Sequence, residues 1–212
     1  MDAFTTLTAV AVPIDVDNVD NDQHIPARLM RKPRIGKAYG GYWFHDQRFN
    51  EDGSEMPDFV LNKPGFRDAR IVVAAKNYAC GSSRLGAVYV HYDYGIRAVI
   101  AVSFGDVFYN NCFKNGILPV RLDEATVARL RRELHAQPGT TIALDLPQQT
   151  VTGPDGTVYP FDIDAFGKRC LLQGLSDIKL TLEQEPRIKA FEDKHRQQMS
   201  WLFQTAPQEG AK

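Results

Sequence analysis

No stretch of the chain approaches the ~20 consecutive apolar residues that a membrane helix needs. The opening Met1-Asp2-Ala3-Phe4 carries an acid where a secretory signal has its basic region. Charge of one sign is also missing: 25 Lys and Arg stand against 26 Asp and Glu, a formal net charge of −1. That balance argues against a basic nucleic-acid binder and against an acidic disordered tail. Cysteine is scarce and odd in number, with Cys80, Cys112 and Cys170 widely spaced. A disulfide framework is not expected from such a set, and a reducing, cytoplasmic setting suits it. No CxxC pair and no neighbouring His suggests a local zinc site, so no metal is expected in this chain. The phosphate loop GxxxxGK[ST] and the hydrolase elbow GxSxG are both absent. The five histidines are scattered and read as surface or satisfied core.

What is present is a 212-residue chain, 43% hydrophobic, long enough to bury a sizeable core. Residues 10–16 read as an edge strand, because Pro13 lacks the N–H a central strand requires. From Asn18 to Gly65 there is no clear periodicity, but five aromatics between Tyr39 and Phe49 argue for packing rather than disorder. Ala69–Ala75 and Ala98–Val102 are β-branched or apolar runs typical of strands covered on both faces, and a third strand begins at Ile117. Helices are expected at 84–94, ending at Gly95, and at 106–113 before Gly116. Asp123 should cap a helix over 124–136. Thr141–Leu146 and Thr157–Phe161 flank Gly153-Pro-Asp-Gly156 and read as a hairpin. Helices over 164–174 and 186–201 follow, and the last nine residues are expected to fray. Strand–helix–strand order implies a parallel unit, and the chain is expected to form one α/β domain over 1–212.

Three groups of residues could carry chemistry. Cys80-Gly81-Ser82-Ser83-Arg84 lies between a buried strand and a helix start, where unpaired N–H groups favour a carboxylate or phosphate and Arg84 offers a bidentate fork. The plain alternative is a serine cap followed by a solvated arginine. Arg28, Arg31, Lys32, Arg34 and Lys37 form a cationic cluster, either a solvated loop or one that closes on a small polyanion. Asp15 to Asp22 is rich in acids but fails the calcium-loop rule: Asp20 stands where Gly is required and Pro26 where Glu is required.

Asn18-Val-Asp20-Asn-Asp22-Gln-His-Ile-Pro26, Asn77-Tyr-Ala-Cys80-Gly81-Ser82-Ser83-Arg84 and Ser103-Phe-Gly-Asp106 through Pro119 occur in that order. Together they resemble the 3-isopropylmalate dehydratase small-subunit family, the counterpart of the swivelling C-terminal domain of aconitase. The likeness extends from about residue 12 to 203 and includes Cys170-Leu-Leu-Gln-Gly174. It implies a three-layer β/β/α swivelling domain with a substrate loop at about 27–64. It also implies a hydro-lyase that interconverts isopropylmalates in leucine biosynthesis and acts only with an aconitase-like large subunit holding a [4Fe–4S] cluster. By that resemblance Ser82 is the base, Ser83 and Arg84 hold a substrate carboxylate, and Asp22 and Arg34 complete the site. The expected ligand is a small hydroxy diacid, with no nucleic acid and no membrane as partner.

The chain departs from the family where Leu85-Gly86 replace the usual Glu-His, Ala79 replaces a common Gly and Ile35 a common Thr. Ile35 and the missing Glu-His favour a maleate-, citraconate- or dimethylmaleate-type hydratase as the alternative, and a non-catalytic anion-binding subunit is the further rival. A glycine in the first helical turn costs about 1 kcal/mol against alanine, so close backbone approach is expected at Gly86.

Overall fold

The computed structural model describes residues 1–81 and 84–203. The expectation of a frayed terminus falls on residues outside this range. In chain order the elements are β1 (Thr6–Ile14), α1 (Asn21–His24), α2 (Ala27–Met30), α3 (His45–Arg48), β2 (Ile71–Ala74), α4 (Gly86–Tyr94), β3 (Ala98–Ala101) and α5 (Asp106–Asn115). They continue with β4 (Leu118–Arg121), α6 (Glu124–Ala136), β5 (Thr141–Asp145), β6 (Thr150–Thr152), β7 (Val158–Pro160), α7 (Ala165–Gln173), α8 (Asp177–Leu182) and α9 (Glu185–Gln198). The chain divides into two compact units, Met1–Leu175 and Ser176–Lys212.

In the first unit seven strands run in the order β4-β3-β2-β1-β5-β6-β7. β1 is therefore central, where the sequence suggests an edge. Its first half pairs antiparallel with β5 over Thr6–Val10, and its second half pairs in parallel with β2 over Ala11–Ile14. Pro13 lies beyond the last β5 partner, so its missing N–H falls on an unpaired side, and the proline rule is satisfied locally inside a central strand. Pro119 sits in β4, at the end of the sheet. The single hairpin expected after α6 is a three-stranded meander instead, because β6 adds a rung between β5 and β7. Three residues, Thr150-Val-Thr152, are too few to show periodicity.

Alternation along the parallel strands divides their side chains between two cores. Val12, Ile14, Val72, Ala74, Val99 and Ala101 join one core with α4 and the aromatics Tyr39, Trp43, Phe44 and Phe66, with Leu61, of the N-terminal segment. Ala11, Ile71, Val73, Ala98 and Ile100 face the other, where Val127, Leu130 and Leu134 of α6 and Ile142, Leu144 and Val151 of the antiparallel strands pack. The packing of the antiparallel strands, parallel strands and helices is the mixed α/β arrangement the sequence implies. Asp123 caps α6 by accepting from the Thr126 N–H at 2.9 Å, and Gly95, Gly116 and Gly174 close α4, α5 and α7 at positive φ. α4 begins at Gly86, two residues later than expected, with Leu85 as its N-cap.

The substrate-loop region expected at 27–64 is thus packed over much of its length, with Trp43 and Leu61 fully buried. Within it, Arg31 to Ala38 forms an unbroken exposed run. In the second unit, α8 has Ser176 as its N-cap, accepting from Lys179 N–H, and α9 carries Pro186 in its first turn. α8 lies between the two helices expected in this region. α9 stops at Gln198 and a 3-10 turn spans Ser200–Phe203.

Candidate active site

The three stretches that carry the resemblance meet at the C-terminal ends of β1, β2 and β3, the edge where open α/β sheets bind ligands. Backbone hydrogen bonds join them: Asn18 N–H donates to Lys76 O at 2.9 Å, Cys80 N–H to Val19 O at 3.2 Å and Asn21 N–H to Cys80 O at 3.0 Å. On the other side Tyr78 N–H donates to Ser103 O at 3.0 Å and Gly105 N–H to Tyr78 O at 2.9 Å. Side chains reinforce the seam, with Asn77 Nδ2 donating to Asn18 Oδ1 at 2.8 Å and Lys76 N–H to Asp17 Oδ1 at 2.9 Å.

The middle strip is sharply turned. Asn77, Ala79 and Gly81 have φ of 53°, 56° and 76°. A non-glycine residue in this region costs about 1–2 kcal/mol, so Asn77 and Ala79 hold the strip in a strained conformation. Gly105 passes so close that a Cβ there would lie 2.5 Å from Ala79 O and 2.9 Å from Cys80 Cα, both backbone atoms. Gly105→Ala is expected to destabilise the protein by about 1–3 kcal/mol through overpacking. It should also displace the strip leading to Ser82; thermal unfolding together with kcat of the assembled enzyme would reveal both effects.

Asp22 lies in the first turn of α1, whose N-cap Asp20 forms a reciprocal capping box with Gln23. Arg84 Nη2 lies 3.7 Å from Asp22 Oδ1, and both side chains are well exposed. Arg34 lines a cleft of about 280 Å³ with Arg84 and Lys32. Met30, Tyr39, Leu85 and Tyr89 supply its apolar wall. Ser82 and Ser83 lie outside the described residues, between Gly81 and Arg84. Arg34 Nε and Nη2 donate to the Asp93 carboxylate at 2.6 and 2.8 Å, which raises the guanidinium pKa further. The same guanidinium lies 4.1 Å over the Tyr89 ring.

Sequence reasoning missed Asp93 and Tyr89. Leu85, Tyr89 and Asp93 recur at i, i+4 and i+8 along one side of α4, a signal hidden because most of that helix is buried. The close approach expected at Gly86 is present: a Cβ there would meet Met30 Cγ and Sδ at 3.2 Å and Ile25 Cγ2 at 3.3 Å. Met30, from α2, occupies the space that a larger residue at 86 would need. Ile35 is 70% exposed and does not line the cleft.

Below the site lies a buried aromatic cluster. Trp43 Nε1 donates to His24 Nδ1 at 3.2 Å, and Tyr78 Oη lies 2.8 Å from His91 Nε2 while His91 Nδ1 lies 2.6 Å from Ala87 O. Burial, joined by the neighbouring His91, holds the His24 pKa well below its usual value, and burial lowers that of His91 to about 3. Of the three thiols, Cys112 and Cys170 are buried, burial pushes the Cys112 thiol up, and Cys80 Sγ donates to Asn18 O at 3.5 Å. Among the described residues no three His, Cys, Asp or Glu side chains converge on a metal position, and none of the helices is long and apolar enough to cross a membrane. A larger cleft of about 780 Å³ lies by Tyr109 and Arg121, but its Asp123 and Asp164 are committed as helix caps and none of the expected site residues lines it.

Beside the ends of the parallel strands, one cleft of this α/β domain gathers the guanidiniums of Arg34 and Arg84, and comparison places its class. The model of the aconitase C-terminal domain matches residues 1–125, a LeuD_N model matches 128–165, and the model of the C-terminal domain of 3-isopropylmalate dehydratase small subunits matches 177–205. The chain is 50% identical over 202 residues to the 3-isopropylmalate dehydratase small subunit of Jannaschia sp. (strain CCS1), covering 95% of this chain and all of the relative. The protein of that description from Rhodopseudomonas palustris (strain BisA53) is 48% identical with the same coverage. A crystal structure of 3-isopropylmalate dehydratase (leuD) from Methanocaldococcus jannaschii shares the fold, with a TM-score of 0.63, 21% identity and coverage of 88% of this chain and 99% of that one. The chain belongs to the 3-isopropylmalate dehydratase small-subunit family, within the aconitase C-terminal class.

Proposed function

We propose that this chain is the small subunit of a hydro-lyase that interconverts 2-isopropylmalate and 3-isopropylmalate by dehydration and rehydration, in leucine biosynthesis. Its partner is an aconitase-like large subunit. The donor set here does not fit a [4Fe–4S] cluster, since two of the three thiols are buried in cores and no metal-binding group is formed among the described residues. In this reading the cluster belongs to the large subunit, and this chain's share is binding, proton transfer and closure.

The observation that carries the reading is the cleft that unites Arg34, Arg84 and Lys32 with an apolar wall of Met30, Leu85 and Tyr89. Two carboxylates need guanidinium or ammonium partners, and a branched alkyl group needs a dry surface beside them. Arg84 would clamp one carboxylate with Ser83, and Arg34 would meet the other. Ser82, just ahead of α4, would remove the proton from the carbon next to a carboxylate; the partial positive charge of the helix start and the Arg84 guanidinium would stabilise its alkoxide. Asp22 would hold Arg84 in position. Leu85-Gly86, which by sequence alone favour the alternative hydratases, form an apolar wall with Met30 in the folded chain, and such a wall suits a branched alkyl group that maleate lacks.

The test is to reconstitute the two-subunit enzyme anaerobically and follow the absorbance of the unsaturated diacid with isopropylmalate, citraconate, maleate and citrate. Selective turnover of isopropylmalate is expected. Turnover of maleate or citraconate alone would transfer the chain to the alternative hydratases. A stable complex inert towards all four would make it a binding subunit.

A further inference from the structure

Arg34 has more holding it than a substrate-binding residue on an exposed loop requires. Its side chain is 39% exposed, whereas that of Asp93 is 8% exposed and set on α4. The pairing is side-on: Asp93 Oδ2 and Oδ1 accept from Nε and Nη2 at 2.6 and 2.8 Å. One face of the guanidinium is spent on the Tyr89 ring at 4.1 Å. What remains is the Nη1–Nη2 edge, with two outward N–H groups in the fork geometry that matches a second carboxylate.

The scaffold behind this pairing is rigid. The 3-10 turn Ala38–Tyr42, which ends the exposed run, packs so tightly on α4 that a Cβ at Gly40 would lie 2.2 Å from Tyr94 N. At the other end of the run, Met30 lies against Gly86, in the first turn of the same helix. Both ends of the loop are thus anchored to α4, and Asp93 supplies the anchor at its middle.

We propose that Asp93 is the positioning residue of the substrate loop: it orients Arg34 so that the free edge of the guanidinium is preset for one carboxylate of the diacid. The inference rests on the proposed assignment of Arg34 to substrate. Binding is favoured because the loop's ordering cost is met before substrate arrives. The side-on pair also neutralises one of the cleft's three cations without occupying the edge that a substrate would use.

The experiment compares Asp93→Asn, Asp93→Glu, Arg34→Ala and the double variant Asp93→Asn/Arg34→Ala in the reconstituted two-subunit enzyme. KM and kcat are measured for 2-isopropylmalate, its affinity is measured by calorimetry, and Tm is recorded for each variant. Asp93→Asn is expected to raise KM and Kd about tenfold with kcat within about threefold of the parent, since one charge-assisted pair is lost. Asp93→Glu should recover part of the loss, and Asp93→Asn should add little once Arg34 is alanine. Unchanged KM and Kd with a lowered Tm would overturn the proposal, leaving Asp93 a structural brace. Additive effects of the two substitutions would overturn it as well. A parent enzyme that binds but does not turn over 2-isopropylmalate would count against the proposed reaction, while the Kd ratio still decides the role of Asp93. Absence of binding in the parent would overturn both.

Discussion

Ser82→Ala in the assembled enzyme is expected to lower kcat by about 10²–10⁴-fold while changing KM little. A serine hydroxyl is a poor proton acceptor in water, so the work is done by whatever stabilises the alkoxide. Position 82 lies between the turned strip that ends at Gly81 and the start of α4, with Arg84 two residues on. In the proposed reaction, helix-end N–H groups and the Arg84 guanidinium would stabilise the negative charge on the base, more strongly in a site closed off from water. On the proposed roles, removing the oxygen would remove the base and leave the carboxylate clamp, so the loss would belong to kcat. Arg84→Lys should show the opposite pattern, with KM rising because an ammonium cannot offer the bidentate fork. Ser82→Ala retaining activity within tenfold of the parent would place the base elsewhere.

The second large effect is on stability below neutral pH. His24 and His91 are fully buried, with ring centroids 4.7 Å apart. Around them stand the rings of Trp43, Phe44, Tyr78 and Phe108. No carboxylate bonds to either imidazole among the described residues. Trp43 donates to His24 Nδ1, so the proton of the neutral ring sits on Nε2, which has no hydrogen-bond partner among the described residues. Protonating Nδ1 would set two donors against each other.

Both folded pKa values therefore lie below the unfolded value near 6.5, that of His91 at about 3. Below pH 6.5 the unfolded chain binds protons that the folded chain refuses, so folding stability is full above that pH and falls as pH drops towards the folded pKa values. Between pH 8 and 5 the two groups together are expected to remove about 4 kcal/mol, each approaching about 1.4 kcal/mol per pH unit once the pH is below its unfolded pKa. Urea midpoints measured from pH 8 to 5 would show the decline. His91→Gln, which keeps a donor for Ala87 O and an acceptor for Tyr78, should lower stability at pH 8 but flatten the slope by about half. A flat profile in the parent would mean that the cluster admits water or a counterion on protonation.

The same cluster shows where sequence reading falls short. His24 and His91 lie 67 positions apart, with nothing at either to mark them as neighbours, and they read as scattered surface or core residues. Arg34 and Asp93 meet across 59 positions. Such pairs depend on how the loop folds over α4, a long-range outcome that local propensity does not encode. The edge-strand expectation around Pro13 fails for a related reason. Proline reports only on its own N–H, and β1 exchanges an antiparallel neighbour for a parallel one just before that residue.

By itself the amino-acid sequence determined the elements whose signals are local: the doubly buried strands β2 and β3, the capped helix α6 and the glycine ends of α4, α5 and α7. Its ordered motifs also determined the family. Tertiary structure alone decided that these motifs form one seam at the strand ends, that Met30 fills the space above Gly86, and that Arg34 is held by Asp93 and Tyr89. The division has a physical basis. Periodicity and capping act within about one turn of helix or a few rungs of strand, whereas a binding site is made of contacts whose partners only folding brings within a few ångströms.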